Sequence, residues 1–231
     1  MNKFFLDYSP TIGLMDDGDH SIGLGHVYRS FELGGALRDN GCALEFLITQ
    51  NSMVRELAKK KGFQVKWLEA ELDEPGKLQI LNQWVRQNRP DAVIFDYWGK
   101  TFPFWKFLEK QEGTIFVAID ISREGFPKFE LAFQGTREGL QDIEYEENGC
   151  LVYGGVKYLM VPLQYDRFSK GWESTKELKN ILLTFGGTDV ADFSLKILDY
   201  FETMPGNYNL TLVSGPGVSN YVTVKEKARF S

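Results

Sequence analysis

Short apolar runs and helically spaced apolar positions take turns along the chain. Runs at Thr11–Met15, Ala43–Ile48, Phe63–Trp67, Ala92–Phe95 and Thr114–Ile119 predict β-strands. Ala92–Phe95 has no polar interruption, which is expected of a strand buried on both faces. Between the strands, apolar spacing predicts helices over Gly25–Arg38 (Val27, Phe31, Leu37), Ser52–Lys61, Pro75–Gln87 (Leu78, Leu81, Trp84, Val85) and Phe104–Lys110. Gly62 stands where a helix C-cap is expected, and Pro75 where a first helical turn tolerates proline. Strands alternating with helices predict an α/β fold: a parallel sheet covered by helices.

The rhythm breaks after Asp120. Residues 121–150, with Gly125, Pro127, Gly135, Gly139 and Gly149, are expected to be irregular. Regular structure should resume with a strand at Asn180–Phe185, a helix through about Thr203, a strand at Tyr208–Val213 and a helix from near Asn220. The polar stretch Ser169–Lys179 reads as a linker. Two domains are therefore expected, residues 1–172 and 173–231, the second short for a free-standing unit.

Composition narrows the function classes. The chain has 231 residues, 43% hydrophobic and 25% charged, the balance of a globular protein with a real core. Its 26 Lys+Arg against 32 Asp+Glu give a net charge of −6. An acidic surface excludes a general nucleic-acid binder and a binder of anionic membranes, without excluding a local basic pocket. Asp7 ends the apolar run Phe4–Leu6 too early for a secretory signal, and no run reaches the roughly 20 apolar residues of a membrane span, so no membrane insertion is expected. Cys42 and Cys150 stand far apart with no CxxC pattern, and His20 and His26 are the only histidines. Neither a zinc site nor a disulfide framework is expected, and a reduced cytoplasmic setting is.

The sharpest motif is Ile22-Gly23-Leu24-Gly25-His26-Val27-Tyr28-Arg29, between the first strand and the first helix. Glycines there let a ligand approach the backbone, and a helix N-terminus favours an anion. The dinucleotide fingerprint would need glycine where Tyr28 stands, so a nicotinamide or flavin cofactor is not expected. The positive end of a helix disfavours a cation, so a neutral imidazole able to take a proton from water is expected at His26. Arg29, on the same face, could bind a phosphate or hold a carboxylate. The bland alternative is a structural turn with a surface arginine. A second glycine turn, Gly186-Gly187-Thr188-Asp189, again leads from a strand into a helix. It reads as a backbone cradle for a nucleotide or diphosphate, or as a plain turn in which Thr188 or Asp189 caps the helix. Asp17 and Asp19 form an Asp-x-Asp pair, which reads better as a solvated turn than as a metal site. The acids around Ile143 and Tyr145 read as a solvated strand face.

Gly-x-Gly-His-x-x-Arg near the start, with Gly-Gly-Thr-Asp about 160 residues later, resembles the UDP-sugar hydrolases of pseudaminic-acid synthesis and the related spore-coat polysaccharide biosynthesis proteins. Both have the GT-B glycosyltransferase-like architecture of two Rossmann-like domains. The resemblance covers roughly residues 11–217. It implies that His26 is the base that activates water against the anomeric carbon of a UDP-linked diacetamido-trideoxy sugar, releasing UDP. It implies substrate-binding roles for Asp17, Gly23, Gly25, Arg29, Asp96 and either Tyr97 or Trp98, and a nucleotide-binding role for Gly186, Gly187, Thr188 and Asp189, with no cofactor and no metal. Asp120 falls where the family also tends to carry an acid. This sequence departs from the pattern at Tyr158–Gln164, which lacks the usual arginine, and the chain is expected to stop inside its second domain. A GT-B glycosyltransferase and a non-catalytic binding module remain alternatives to the hydrolase.

Overall fold

The computed structural model describes residues 8–17, 24–96, 104–135, 141–162, 165, 168, 179–215 and 217–228. The chain divides into two compact units, Met1–Gly18 with His26–Pro162 and Asp19–Gly25 with Leu163–Ser231.

The first unit is built on one sheet. Its strands are β1 (Thr11–Asp16), β2 (Ala43–Thr49), β3 (Val65–Leu68), β4 (Ala92–Asp96), β5 (Ile115–Ile119), β6 (Leu131–Gln134), β7 (Ile143–Glu147) and β8 (Cys150–Gly154). They lie in the order β3-β2-β1-β4-β5-β6-β8-β7. Every pairing is parallel except that of β7 with β8. Helices α1 (Gly25–Asp39), α2 (Ser52–Lys61) and α3 (Glu74–Asn88) cross over between the first four strands. Asn51 caps α2 by accepting from the Met53 N–H at 2.9 Å, and Gly62 ends it in the left-handed region at φ 70°. Asp73 caps α3 by accepting from the Gly76 N–H, with Pro75 in the first turn.

Each face of the sheet has its own aromatic packing. On one, Trp84 of α3 joins Phe95, Phe104, Phe116, Phe126 and Phe129 around the central strands. Trp84 lies so close to β1 that a Cβ on Gly13 would fall 2.6 Å from its ring, which is why a glycine occupies a strand interior there. Elsewhere Phe31 of α1 meets Phe46 edge-on at 5.0 Å and stacks on Phe63 at 5.4 Å.

Two sequence expectations are corrected here. The expected helix Phe104–Lys110 is only a 3₁₀ turn at Phe104–Phe107. The Asn82 side chain donates to the Phe107 carbonyl at 3.0 Å and accepts from the Glu109 N–H at 3.2 Å, taking the backbone groups that another helical turn would use. The described residues of 121–150 are not irregular: they hold a 3₁₀ turn at Arg123–Lys128, then β6, β7 and the start of β8, while Gly139 lies outside the described residues. Gly149 belongs to a two-residue hairpin turn. Asn148 and Gly149 both have positive φ, 54° and 80°, and join Glu147 to its partner Cys150. The acidic alternation around Ile143 and Tyr145 is indeed a strand with Glu144 and Glu146 exposed.

The second unit holds β9 (Asn180–Thr184), α4 (Phe193–Thr203), β10 (Asn209–Val213) and α5 (Tyr221–Lys227). β9 and β10 pair in parallel, from Asn180 with Asn209 to Thr184 with Val213. Its buried apolar side chains among the described residues are few: Leu24, Leu198, Val218 and Val224.

Candidate functional site

The carboxyl ends of β1, β4 and β5 and the first turn of α1 meet at one point of the first unit. Parallel pairing sets Asp16, the last residue of β1, beside Asp96, the last of β4. Asp120 follows β5 in the left-handed region, φ 52°, with its N–H donating to the Phe133 carbonyl at 2.8 Å. His26 and Arg29 lie one turn apart on α1 and reach these carboxylates.

Arg29 is the clamp. Its Nε donates to Asp96 Oδ2 at 2.6 Å and its Nη2 to Asp96 Oδ1 at 2.5 Å, a bidentate pair. Its Nη1 donates to Asp120 Oδ2 at 2.5 Å. Burial opposes the guanidinium charge, yet the hydrogen bonds and charges of Asp96 and then Asp120 overcome it, and the guanidinium is held protonated more firmly than usual. His26 Nδ1 lies 2.8 Å from Asp96 Oδ1. An ionised Asp96 can only accept, so Nδ1 is the ring nitrogen that donates to it. The 3.3 Å approach of Arg29 Nη2 to the same Nδ1 then sets two donors side by side and is no hydrogen bond.

Asp16 lies beneath this pair and is fully buried. Its Oδ1 accepts from the Asp17 N–H at 2.7 Å, while its Oδ2 has no hydrogen-bond partner. Burial first, then the neighbouring Asp96 charge, push its carboxyl well above the usual aspartate range, partly offset by the Ser30 hydroxyl and the Asp17 N–H. Asp17 is turned towards α3, where Lys77 Nζ reaches its Oδ2 at 2.9 Å and Glu74 Oε1 at 3.5 Å. Burial raises the Glu74 carboxyl above its ordinary value, against the pull of Lys77.

The fold thus brings together His26, Arg29, Asp96 and Asp120, all named from the sequence, and sets Asp17 against Lys77 instead. Gly25 is the first residue of α1. Gly23, Tyr97 and Trp98 lie outside the described residues. Gly186, Gly187, Thr188 and Asp189 belong to the second unit. There Gly186 has φ 75°, and Gly187 abuts the turn after β10 so closely that a Cβ on Gly215 would fall 2.5 Å from its Cα. Asp189 accepts the N–H groups of Phe193 and Ser194, each at 2.9 Å, and so caps α4 with both oxygens. Asp16 and Lys77 are the site residues that sequence reasoning missed. The signal for Lys77 was its place four residues before Leu81, on the apolar stripe of α3.

Among the described residues, no group of three or more His, Cys, Asp or Glu side chains could hold a metal ion. No helix there is long and apolar enough to cross a membrane.

No protein-family model matches the chain. It is 29% identical over 213 residues to an uncharacterised protein of Methanocaldococcus jannaschii, covering 89% of this chain and 42% of that one. It is 20% identical over 219 residues to the spore coat polysaccharide biosynthesis protein SpsG of Bacillus subtilis, covering 94% of this chain and 62% of that protein. The chain therefore spans less than two thirds of the length of either relative. Among solved structures, MurG of Acinetobacter baumannii matches with a TM-score of 0.60 at 13% identity, over 95% of this chain and 64% of that one. The fold is thus α/β of the GT-B kind, and the chain is a distant homologue of SpsG.

Proposed function

We propose that the chain carries the catalytic base of a nucleotide-sugar hydrolase that releases UDP from a UDP-diacetamido-trideoxy-hexose in surface-polysaccharide or pseudaminic-acid synthesis. The observation that carries this reading is the pairing of His26 Nδ1 with Asp96 Oδ1 at 2.8 Å, with Asp96 gripped on both oxygens by Arg29. Asp96 fixes the ring and its tautomer, so Nε2 can accept a proton. Water attacks the anomeric carbon and gives its proton to Nε2. The bond from that carbon to the phosphate oxygen breaks, and UDP leaves with the bonding pair. A diphosphate is a good leaving group, so one base suffices and no pair of glycosidase carboxylates is required. The helix N-terminus beside His26 offers N–H groups to the anionic donor.

The GT-B fold supports a second reading, in which the same base serves a glycosyltransferase and a sugar hydroxyl replaces water. Nucleotide release by purified protein decides between them: release without an acceptor supports hydrolysis, and release that depends on an added acceptor supports transfer. In either case His26→Ala is expected to lower turnover by about 10²–10⁴-fold, the usual worth of a general base, with folding retained by circular dichroism. Unchanged turnover in that variant would remove the base assignment.

A further inference from the structure

Asp16, Asp17, Asp96 and Asp120 crowd the carboxyl edge of the sheet, and among the described residues two cationic side chains pair with them. Arg29 takes Asp96 and Asp120, and Lys77 takes Asp17. Among the described residues no cation pairs with Asp16, which is the most deeply buried of the four and has one oxygen unpartnered. β2 sets Ile48 beside it and β4 sets Asp96. Its polar neighbours among the described residues include Asp17, next in the chain, and Ser30 on α1. An ionised carboxylate there would be uncompensated and would repel Asp96, which already serves both His26 and Arg29.

We propose that Asp16 holds a proton and thereby acts as a positioning residue: kept neutral, it leaves Asp96 as the one carboxylate shared by His26 Nδ1–H and the Arg29 fork. When Asp16 loses that proton, its charge competes for Arg29 and pushes on Asp96, and the His26 ring loses its fixed tautomer. The role in catalysis rests on the reading of His26 as base; the proton on Asp16 does not.

The test is carboxyl ¹³C and histidine ¹⁵N spectra across pH, on the wild type and Asp16→Asn, which mimics the neutral acid. At pH 7 one aspartate carboxyl of the wild type is expected in its neutral form, and that signal is expected to vanish in D16N. As the pH rises, His26 is expected to leave the Nδ1–H form in the wild type, in step with ionisation of that carboxyl, and to keep it in D16N. The sign for stability follows from the raised carboxyl. The folded state prefers the proton, so the contribution is complete below the ordinary value of 3.8 and is lost as pH climbs through the raised one. D16N should therefore gain on the wild type in unfolding midpoint as pH rises. All aspartates ionised at pH 7, or a histidine that titrates alike in both proteins, would overturn the proposal. If D16N does not fold, the wild type still decides, because carboxyl and histidine changes at different pH are equally fatal. A His26→Ala protein that still turned over donor would sink the hydrolase reading and leave these spectra as they are.

Discussion

Arg29 makes three charge-assisted hydrogen bonds to two carboxylates from a side chain only 19% exposed. Removing it takes away the guanidinium that the buried Asp96 and Asp120 share, a loss of the kind that costs about 3–5 kcal/mol. Arg29→Ala is expected to show a loss of that size in chemical denaturation. Arg29→Lys should fall between, since an ammonium keeps the charge but cannot span both Asp96 oxygens and Asp120 together. A loss below about 1 kcal/mol for Arg29→Ala would mean that the clamp is a solvated surface pair. Arg29 and His26 were legible in the sequence because a glycine motif and helical spacing mark them. Asp96 was legible because it follows an unbroken apolar strand. Asp16 was not, because the alternation Asp16-Asp17 gives no clue which of two adjacent acids points inward. Only the register of β1 against β4 decides that, and register is a long-range fact.

Within an element, the same logic separates two neighbouring glycines of α1. Each lacks the helix propensity of alanine by about 1 kcal/mol, so their place in mid-helix calls for a reason. Gly34 has one: a Cβ there would lie 2.5 Å from Phe46 Cζ, and Phe46 is held between Phe31 and Phe63. Gly35 has none, with nothing within 4 Å of the added atom. Gly35→Ala is therefore expected to stabilise the protein by up to about 1 kcal/mol, and Gly34→Ala to destabilise it by about 1–3 kcal/mol through overpacking. Equal shifts in thermal midpoint for the two variants would contradict this packing. The strands that read clearly from sequence, β1, β2, β4 and β5, are apolar runs at the centre of the sheet. β7 showed only as an acidic alternation, and β6 and β8 were hidden because the glycines around them were read as breaks, among them Gly149 of the turn that makes the β7–β8 hairpin.

At the scale of the whole chain, the two units differ in how much core each owns. The first has an eight-stranded sheet with aromatic clusters packed against it, while the second, among the described residues, buries Leu24, Leu198, Val218 and Val224 beside a two-stranded ladder. Asp16, His26, Arg29, Asp96, Asp120 and Lys77 all belong to the first. We expect residues 1–162 expressed alone to unfold cooperatively and to keep the His26–Asp96 pairing, and residues 163–231 alone to lack a cooperative transition, because so small an apolar core does not offset the entropy of ordering its chain. Thermal melts by circular dichroism, with histidine ¹⁵N spectra of the longer fragment, test both halves of this expectation. A first fragment that melts without cooperativity would mean that the base and its carboxylates depend on the second unit for their geometry. A fragment that folds, keeps the Nδ1–H tautomer and yet releases no nucleotide would assign base chemistry to the first unit and donor binding to the remainder. The Gly186–Asp189 turn then becomes the next segment to mutate, beginning with Gly187, since Asp189 already spends both oxygens capping α4.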